Sequence, residues 1–166
     1  MKAWLLVSLF SLLLVGCGEN QPSENGGPGD TRLPIHVVLS EHEEHGHTIA
    51  RHVAKTDAYL IERLQKNNKL NTVSTFSSLT MAEASVNAVL NVQRAEVADW
   101  WHGDLSRQAF FARVPTHGSY MTRAMLQQQG AQVQSQPVPQ QAVVRVVLAR
   151  KADGFYVLTA FPQPDN

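Results

Sequence analysis

Cysteine is almost absent from this sequence, since Cys17 is the only one among 166 residues. A single thiol cannot form an intramolecular disulfide, which excludes the small disulfide-stapled folds found among exported proteins. We therefore expect a domain held together by its hydrophobic core, with no disulfide-linked partner.

The sequence also lacks an excess of charge of either sign. Fourteen basic and fourteen acidic residues leave a formal net charge of zero. A strongly basic chain would indicate nucleic-acid binding through its overall electrostatic field, and this chain has no such field. A protein of this composition can still bind nucleic acid if its cations are concentrated in one cleft.

No apolar run reaches the roughly 20 residues that a membrane-spanning helix needs. The longest covers residues 3–15, follows Lys2 and ends at Gly16-Cys17, which is the pattern of an export signal. Residues 14–17, Leu-Val-Gly-Cys, resemble a bacterial lipobox, which implies cleavage before Cys17 and acylation of that residue with palmitate-type chains. An ordinary secretory signal with an unrelated cysteine is the alternative.

The signal pattern and the composition after it divide the sequence into three segments. Residues 1–16 form a lipoprotein signal peptide, residues 17–32 a lipidated flexible tether rich in Gly, Pro, Asn and Glu, and residues 33–162 one globular domain. We expect a lipid-anchored protein of the bacterial cell envelope. Gly18 stands where the resembling signals carry an aspartate for inner-membrane retention, so the outer membrane is favoured over the inner.

Hydrophobic periodicity predicts helices first and strands later, an α+β fold. Thr56 or Asp57 caps a helix, and a second, long helix runs from Thr80 to the Trp100-Trp101 pair, where Gly103 stops it. The tryptophans are expected to close the core. Strands are predicted at residues 108–114, 143–149 and 155–161, the last two joined by an Asp-Gly turn; residues 120–136 remain ambiguous.

The chemically richest segment covers residues 46–57, Gly-His-Thr-Ile-Ala-Arg-His-Val-Ala-Lys-Thr-Asp. Its histidines, His47 and His52, have a side chain whose ordinary pKa suits general base catalysis. Lys55 lies in the same segment, and Arg63 follows His52 by eleven residues, close to three helical turns if one helix begins near His52. A base, cations and a helix N-terminus are the components of a metal-free ribonuclease.

Together with Ser-Thr-Phe at residues 74–76 and the string at residues 156–162, this segment resembles the bacterial ribonuclease A-like domain of contact-dependent growth-inhibition toxins. The resemblance spans residues 39–162. It implies N-terminal helices packed on a C-terminal antiparallel sheet, and RNA cleavage by transphosphorylation to a 2′,3′-cyclic phosphate without metal or cofactor. It also implies an immunity-type protein partner.

By motif match, the resemblance implies a catalytic site of His52, Arg63 and Thr159, with His47 the alternative histidine. The family's fourth position, a tyrosine, is Phe161 here, which leaves the ring for base stacking but removes the hydroxyl. Substrate contacts are predicted for Lys55, Thr75 and Phe161. Simple strand alternation places Thr159 and Phe161 on one face and Tyr156 on the other.

Two other functions are compatible with the residues. The His-Glu-rich residues 42–47 invite a metal interpretation, but their spacing does not match the His-Glu-x-x-His motif, and we predict no metal. The main alternative is a non-catalytic envelope lipoprotein that uses the fold to bind a nucleotide, a phosphate ligand or a protein partner.

Overall fold

The computed structural model describes residues 35–164, so the predicted signal, Cys17 and the tether lie outside the described residues. Within residues 35–164, no helix combines the length and apolar character needed to cross a membrane. The helices are α1 (Thr48–His52), α2 (Asp57–Lys66), α3 (Leu79–Val92), α4 (Arg94–His102) and α5 (Arg123–Gln129). The strands are β1 (Thr72–Phe76), β2 (Arg107–Pro115), β3 (Gly118–Thr122), β4 (Gln136–Pro137), β5 (Gln141–Lys151) and β6 (Gly154–Gln163).

These strands form two antiparallel sheets, one in the order β1-β3-β4 and the other in the order β2-β5-β6. The α+β class is confirmed, and all three predicted strands are present. The predicted single C-terminal sheet becomes two, because β1 is interposed among the helices and pairs with β3. The ambiguous residues 120–136 contribute the end of β3, α5 and the start of β4.

The main core lies between α3 and α4 on one side and the inner face of the β2-β5-β6 sheet on the other. Trp100 is buried there, as predicted, and its indole N–H donates to the carbonyl of Leu105. A smaller core lies between α2 and the β1-β3 pair, around Leu60, Leu64 and Met121. Burial of these apolar side chains is the main driving force for assembly.

The segment before the first helices has no sheet partner, and α3 satisfies its backbone instead. Glu83, Asn87 and Asn91 lie one turn apart, and their side-chain oxygens accept the amides of Leu39, Val37 and Ile35 respectively. Ser78 caps this helix, two residues before Thr80, where the sequence predicted its start.

The long second helix is in fact two helices. Gln93 has φ −96° and ψ 26°, outside the helical range, and separates α3 from α4. Gly103 ends α4 as predicted, where its amide donates to the carbonyls of Asp99 and Trp100. Arg150 then covers the end of α4 by donating to the carbonyls of Trp100, Trp101 and Gly103.

The helix that carries Arg63 begins at Asp57 with Thr56 as its cap, as predicted, so the condition under which His52 and Arg63 would share one helix is not met. His52 ends α1, Val53 is extended and bridges to Phe76 of β1, and Ala54 has a positive φ of 51°. The bridge removes Val53 from the helix, because its backbone pairs with a strand. His52 and Arg63 thus lie on different helices, and their helical phase does not bring them together.

A β-bulge in β6 corrects the prediction for Tyr156. Val147 pairs with Thr159, but the next residue, Leu148, pairs with Val157, so Leu158 is the extra residue. A bulge of one residue reverses the alternation beyond it. Tyr156 therefore lies on the same face of the sheet as Thr159 and Phe161, not on the opposite face.

The loop before α1 docks on this bulge. The amide of His47 donates to the carbonyl of Leu158 over 3.0 Å, and this hydrogen bond holds His47 above β6. Gly46 approaches the same strand so closely that an added Cβ would lie 2.2 Å from the carbonyl oxygen of Val157. Only glycine fits there, so this residue determines the position of α1 over the sheet.

Candidate active site at the junction of the two sheets

One cavity of about 300 Å³ opens where β1 and β6 meet beneath α1 and α2. It contains all four predicted catalytic residues together with Phe161, although they come from α1 and the loop before it, from α2 and from β6. Its walls are formed by His47, Arg51, His52, Arg63, Leu70, Thr72, Val73, Ser74, Thr159, Phe161, Pro162, Gln163 and Pro164.

His52 is held in one orientation and one tautomer. Its Nδ1 lies 3.0 Å from the carbonyl oxygen of Ser74, which can only accept, so Nδ1 carries the proton and Nε2 keeps its lone pair. The side chain of Ser74 in turn donates to the carbonyl of Pro162 over 2.6 Å, which ties β1 to β6. A histidine fixed in this way is prepared to accept a proton at Nε2.

The electrostatic surroundings keep His52 neutral. Burial lowers the pKa of His52 from 6.5 to about 3; the hydrogen bond to Ser74 opposes this, while Arg63, His47 and Arg51 add to the lowering. Burial followed by the charge of Arg51 also lowers the pKa of His47. Both histidines are therefore available as bases at neutral pH.

Two arginines converge on the same cavity. Arg51 belongs to α1 and Arg63 to α2, and the Nη1 of Arg63 donates to the backbone carbonyl of Arg51 over 3.2 Å. Neither residue lies in an ion pair among the described residues. Guanidinium groups suit phosphate because their planar N–H donors can bind two oxygens at once.

Thr159 and Phe161 enter the cavity from β6. The hydroxyl oxygen of Thr159 is buried and has no hydrogen-bond partner within residues 35–164, so its O–H is a donor that these residues do not use. The ring of Phe161 stacks on the imidazole of His52, with centroids 5.0 Å apart and planes inclined by 23°. Phe161 thus supports the histidine, a contact that the sequence did not predict.

Lys55 and Thr75, predicted to contact substrate, are not in this cavity. Both line a separate depression beside His117 and Gly118. The hydroxyl of Thr75 accepts from the amide of Lys55 and donates to the carbonyl of Phe76, so it is already used in fixing the backbone. Their predicted substrate roles have no support in this placement.

Neither helix N-terminus supplies the expected phosphate donors. The carboxylate of Glu43 accepts the amides of Ile49 and Ala50 at the start of α1, where it occupies the anion position. The hydroxyl of Thr56 accepts from Tyr59 at the start of α2. The positive charge of the cavity therefore comes from its arginines.

The histidines and carboxylates of residues 42–47 are used separately. His42 accepts from the amide of Val157 and stacks on Phe155, while His45 packs against Tyr156. Among residues 35–164, no three His, Cys, Asp or Glu side chains are grouped closely enough to hold a metal ion. The His-Glu cluster instead attaches this segment to β6.

Residues 46–162 match the family described as the bacterial CdiA-CT RNAse A domain. The chain belongs to this family. A chain of the CdiA-CT/CdiI complex from Y. kristensenii is 25% identical, with a TM-score of 0.56; the match covers 72% of this chain and 100% of that one. No curated protein matches. The relation suggested by the histidine motif is thus confirmed, and the fold with it.

In this CdiA-CT RNAse A domain, sequence reasoning assigned no role to two polar cavity residues that lie beside His52. Arg51 immediately precedes His52 and lines the cavity from the same short helix. Ser74 looked like an ordinary strand residue, and only its two hydrogen bonds reveal that it positions His52. The exposed arginine next to a motif histidine was a usable signal; the role of Ser74 required the pairing of β1 against β6.

The buried histidine predicts that the domain loses stability in acid. Because the folded pKa of His52 is about 3 and its ordinary value is 6.5, the unfolded chain binds the proton first as pH falls. The contribution of neutral His52 to the free energy of unfolding is fully present above pH 6.5. It is lost as the pH falls from 6.5 to about 3, and the loss amounts to about 2 kcal/mol at pH 5. Urea unfolding at pH 7.5 and 5.0 measures this difference.

The matched variant is His52→Asn, whose amide can still donate to the Ser74 carbonyl but does not titrate. Its stability should fall by about 2 kcal/mol less than that of the wild type over the same pH interval. Equal losses in both proteins would contradict a neutral, buried His52.

Proposed function

We propose that this chain is a metal-independent ribonuclease that cleaves RNA by transphosphorylation. The observation that carries the proposal is the neutral, oriented His52 in a cavity that also contains Arg51, Arg63 and the unpartnered hydroxyl of Thr159. Membership of a ribonuclease family supports the same chemistry.

The two histidines account for the proton transfers of the reaction. Nε2 of His52 takes the proton of the 2′-hydroxyl, the 2′-oxygen forms a bond to phosphorus, and the bond to the 5′-oxygen breaks. This leaves a 2′,3′-cyclic phosphate and a 5′-hydroxyl. The imidazolium of His52 formed in this way then gives up that proton to the leaving 5′-oxygen, and His47, the second histidine of the cavity, is the group that can relay it.

The negative charge that develops on the phosphoryl oxygens falls among Arg51, Arg63 and Thr159. Donors placed before the reaction, in a cavity formed by the protein, stabilise such charge more strongly than water does. These residues therefore supply both substrate attraction and transition-state stabilisation, and no metal or cofactor is needed in the scheme.

Loss of the base should remove most of the rate. We expect His52→Ala to cleave single-stranded RNA about 10²- to 10⁴-fold more slowly than the wild type, in buffer containing EDTA. His45→Ala is the matched control, because His45 is exposed, packs on Tyr156 and lies outside the cavity. Equal rates for the wild type and a His47/His52 double alanine variant would remove the catalytic proposal.

The second candidate function is binding without chemistry, and Phe161 is the observation that favours it. The resembling domains carry a tyrosine at this position, whereas the ring of Phe161 offers only stacking to His52 and to a bound base. A domain without that hydroxyl would still attract a nucleotide or a phosphate through its arginines. It would lack one of the donors that stabilise the transition state.

Restoring the hydroxyl distinguishes these two functions. We expect Phe161→Tyr to raise the rate of RNA cleavage about 10- to 150-fold, since one added donor to a charged oxygen is worth roughly 1.5–3 kcal/mol. Phe161→Leu is the control, because it removes the ring without adding a hydroxyl. If Phe161→Tyr creates activity where the wild type has none, the protein is a binding module; if it lowers activity, the proposed role of this position is wrong.

We also propose that the domain is a lipid-anchored protein of the cell envelope, with an immunity-type protein as a partner. The anchor is supported by the lipobox-like residues before Cys17, and the partner by the CdiA-CT/CdiI complex among the similar structures. The outer membrane remains favoured through Gly18.

Acyl labelling tests the anchor directly. Cells expressing the full chain with a labelled palmitate analogue should show a labelled protein in the membrane fraction, and Cys17→Ser should abolish the label. Ser8→Ala, within the same predicted signal, is the control that should keep it. Normal labelling of Cys17→Ser would contradict the proposal.

A further inference from the structure

The zero net charge conceals an uneven distribution of charge. The strands β2, β5 and β6 contain five arginines and lysines and not one aspartate or glutamate. Three of the five are engaged in other contacts: Arg150 covers the end of α4, Lys151 pairs with Asp153 in the turn, and Arg113 donates to the carbonyl of Gln141. Arg107, Arg113 and Arg145 share the face of the sheet that points away from the core.

One row crosses this face from the active-site cavity to the edge of the sheet. Phe161 on β6 is directly opposite Arg145 on β5, and Arg145 is directly opposite Phe111 on β2. The guanidinium carbon of Arg145 lies 6.0 Å from the ring centroid of Phe161 and 5.3 Å from that of Phe111. Phe161 in turn stacks on His52, so the row is continuous with the candidate base.

Two features of the row are not accounted for by these cation–π contacts. The Nε of Arg145 is buried and without a hydrogen-bond partner in residues 35–164, although a guanidinium N–H normally finds an acceptor. Phe111 is 43% exposed, on a strand whose alternate residues, Phe110 and Ala112, fill the core. An aromatic ring left in water beside an unsatisfied cation suits a planar, anionic ligand.

We propose that Phe111 and Arg145 form a nucleotide-binding subsite next to the cleavage cavity, which rests on the ribonuclease function proposed above. The ring of Phe111 stacks on the base of a nucleotide outside the scissile pair, and Arg145 attracts the phosphate that joins it to the cavity. Stacking requires only the face of a base, so this subsite accepts single-stranded RNA with little sequence preference.

Single-stranded RNA fits this face better than a protein partner does. An aromatic–cation–aromatic row that leads directly to the candidate base matches the alternation of base and phosphate in a nucleic-acid strand. The absence of acidic residues from all three strands also favours a polyanion.

Substrate length tests the subsite. We expect the wild-type kcat/KM to be higher for a six-nucleotide RNA than for a dinucleotide. In Phe111→Ala, the kcat/KM for the six-nucleotide RNA should fall about 5- to 150-fold, which is the range for the loss of one stacked base. Both proteins should cleave the dinucleotide equally. Phe111→Trp should retain the gain, and Leu105→Ala, at an apolar residue 60% exposed outside this face, should behave as wild type.

Binding to a 2′-O-methylated six-nucleotide RNA, which cannot be cleaved, provides the second readout. The logarithm of the binding constant is plotted against the logarithm of the salt concentration. Arg145→Gln should reduce the steepness of this plot by about one, the value for one phosphate contact, whereas Arg145→Lys should preserve it. Thermal melting of each variant shows whether the fold is kept.

The outcomes separate the two proposals. Wild-type cleavage with unchanged length dependence in Phe111→Ala and an unchanged salt slope in Arg145→Gln would overturn the subsite alone and leave the face to a protein partner. Tight, Phe111-dependent binding without cleavage would support the subsite and overturn the chemistry. Neither binding nor cleavage by the wild type would overturn both.

Discussion

Ser74 forms two hydrogen bonds on which the site depends. Its side chain donates to the carbonyl of Pro162 and joins β1 to β6, while its own carbonyl accepts from His52. One residue therefore links the two sheets and fixes the tautomer of the histidine between them. A buried donor or acceptor left unpaired costs roughly 1–3 kcal/mol, so separating the sheets would also release the histidine. The same residue thus contributes both to the rigidity of the site and to the contact between the two sheets.

The electrostatics of the cavity follow from placing like charges together. Arg51 and Arg63 face two histidines with no carboxylate among the residues that line the cavity. Such a group is unfavourable when empty and is relieved by an anion. Burial and these cations keep His52 neutral, which is the state that accepts a proton. Beyond Phe161, the same face of the β2-β5-β6 sheet carries Arg145 and no acidic residue. A chain with zero net charge thereby presents one cationic region, which composition alone could neither exclude nor predict.

Much of the fold could be predicted because it depends on local signals. The strand-forming residues on either side of Asp153-Gly154 were sufficient to predict β5 and β6. Gly103 was sufficient to predict the end of α4. The missed features arise from pairing between distant residues. Val53 leaves the helix because it bridges to Phe76, and the bulge at Leu158, which turns Tyr156 to the open face, exists only in register with β5. Motif resemblance located His52, Arg63 and Thr159, whereas Ser74 and Arg145 required the assembled sheets.

The central claim is that the oriented, neutral His52 and the surrounding arginines carry out transphosphorylation without a metal. Phosphorus NMR of a dinucleotide incubated with the protein in EDTA tests it most directly, because the product identifies the attacking oxygen. A 2′,3′-cyclic phosphate as the first product, absent when the nucleotide lacks its 2′-hydroxyl, is the predicted result. A first product that is a 3′- or 5′-monophosphate, or cleavage of the 2′-deoxy dinucleotide, would contradict the account.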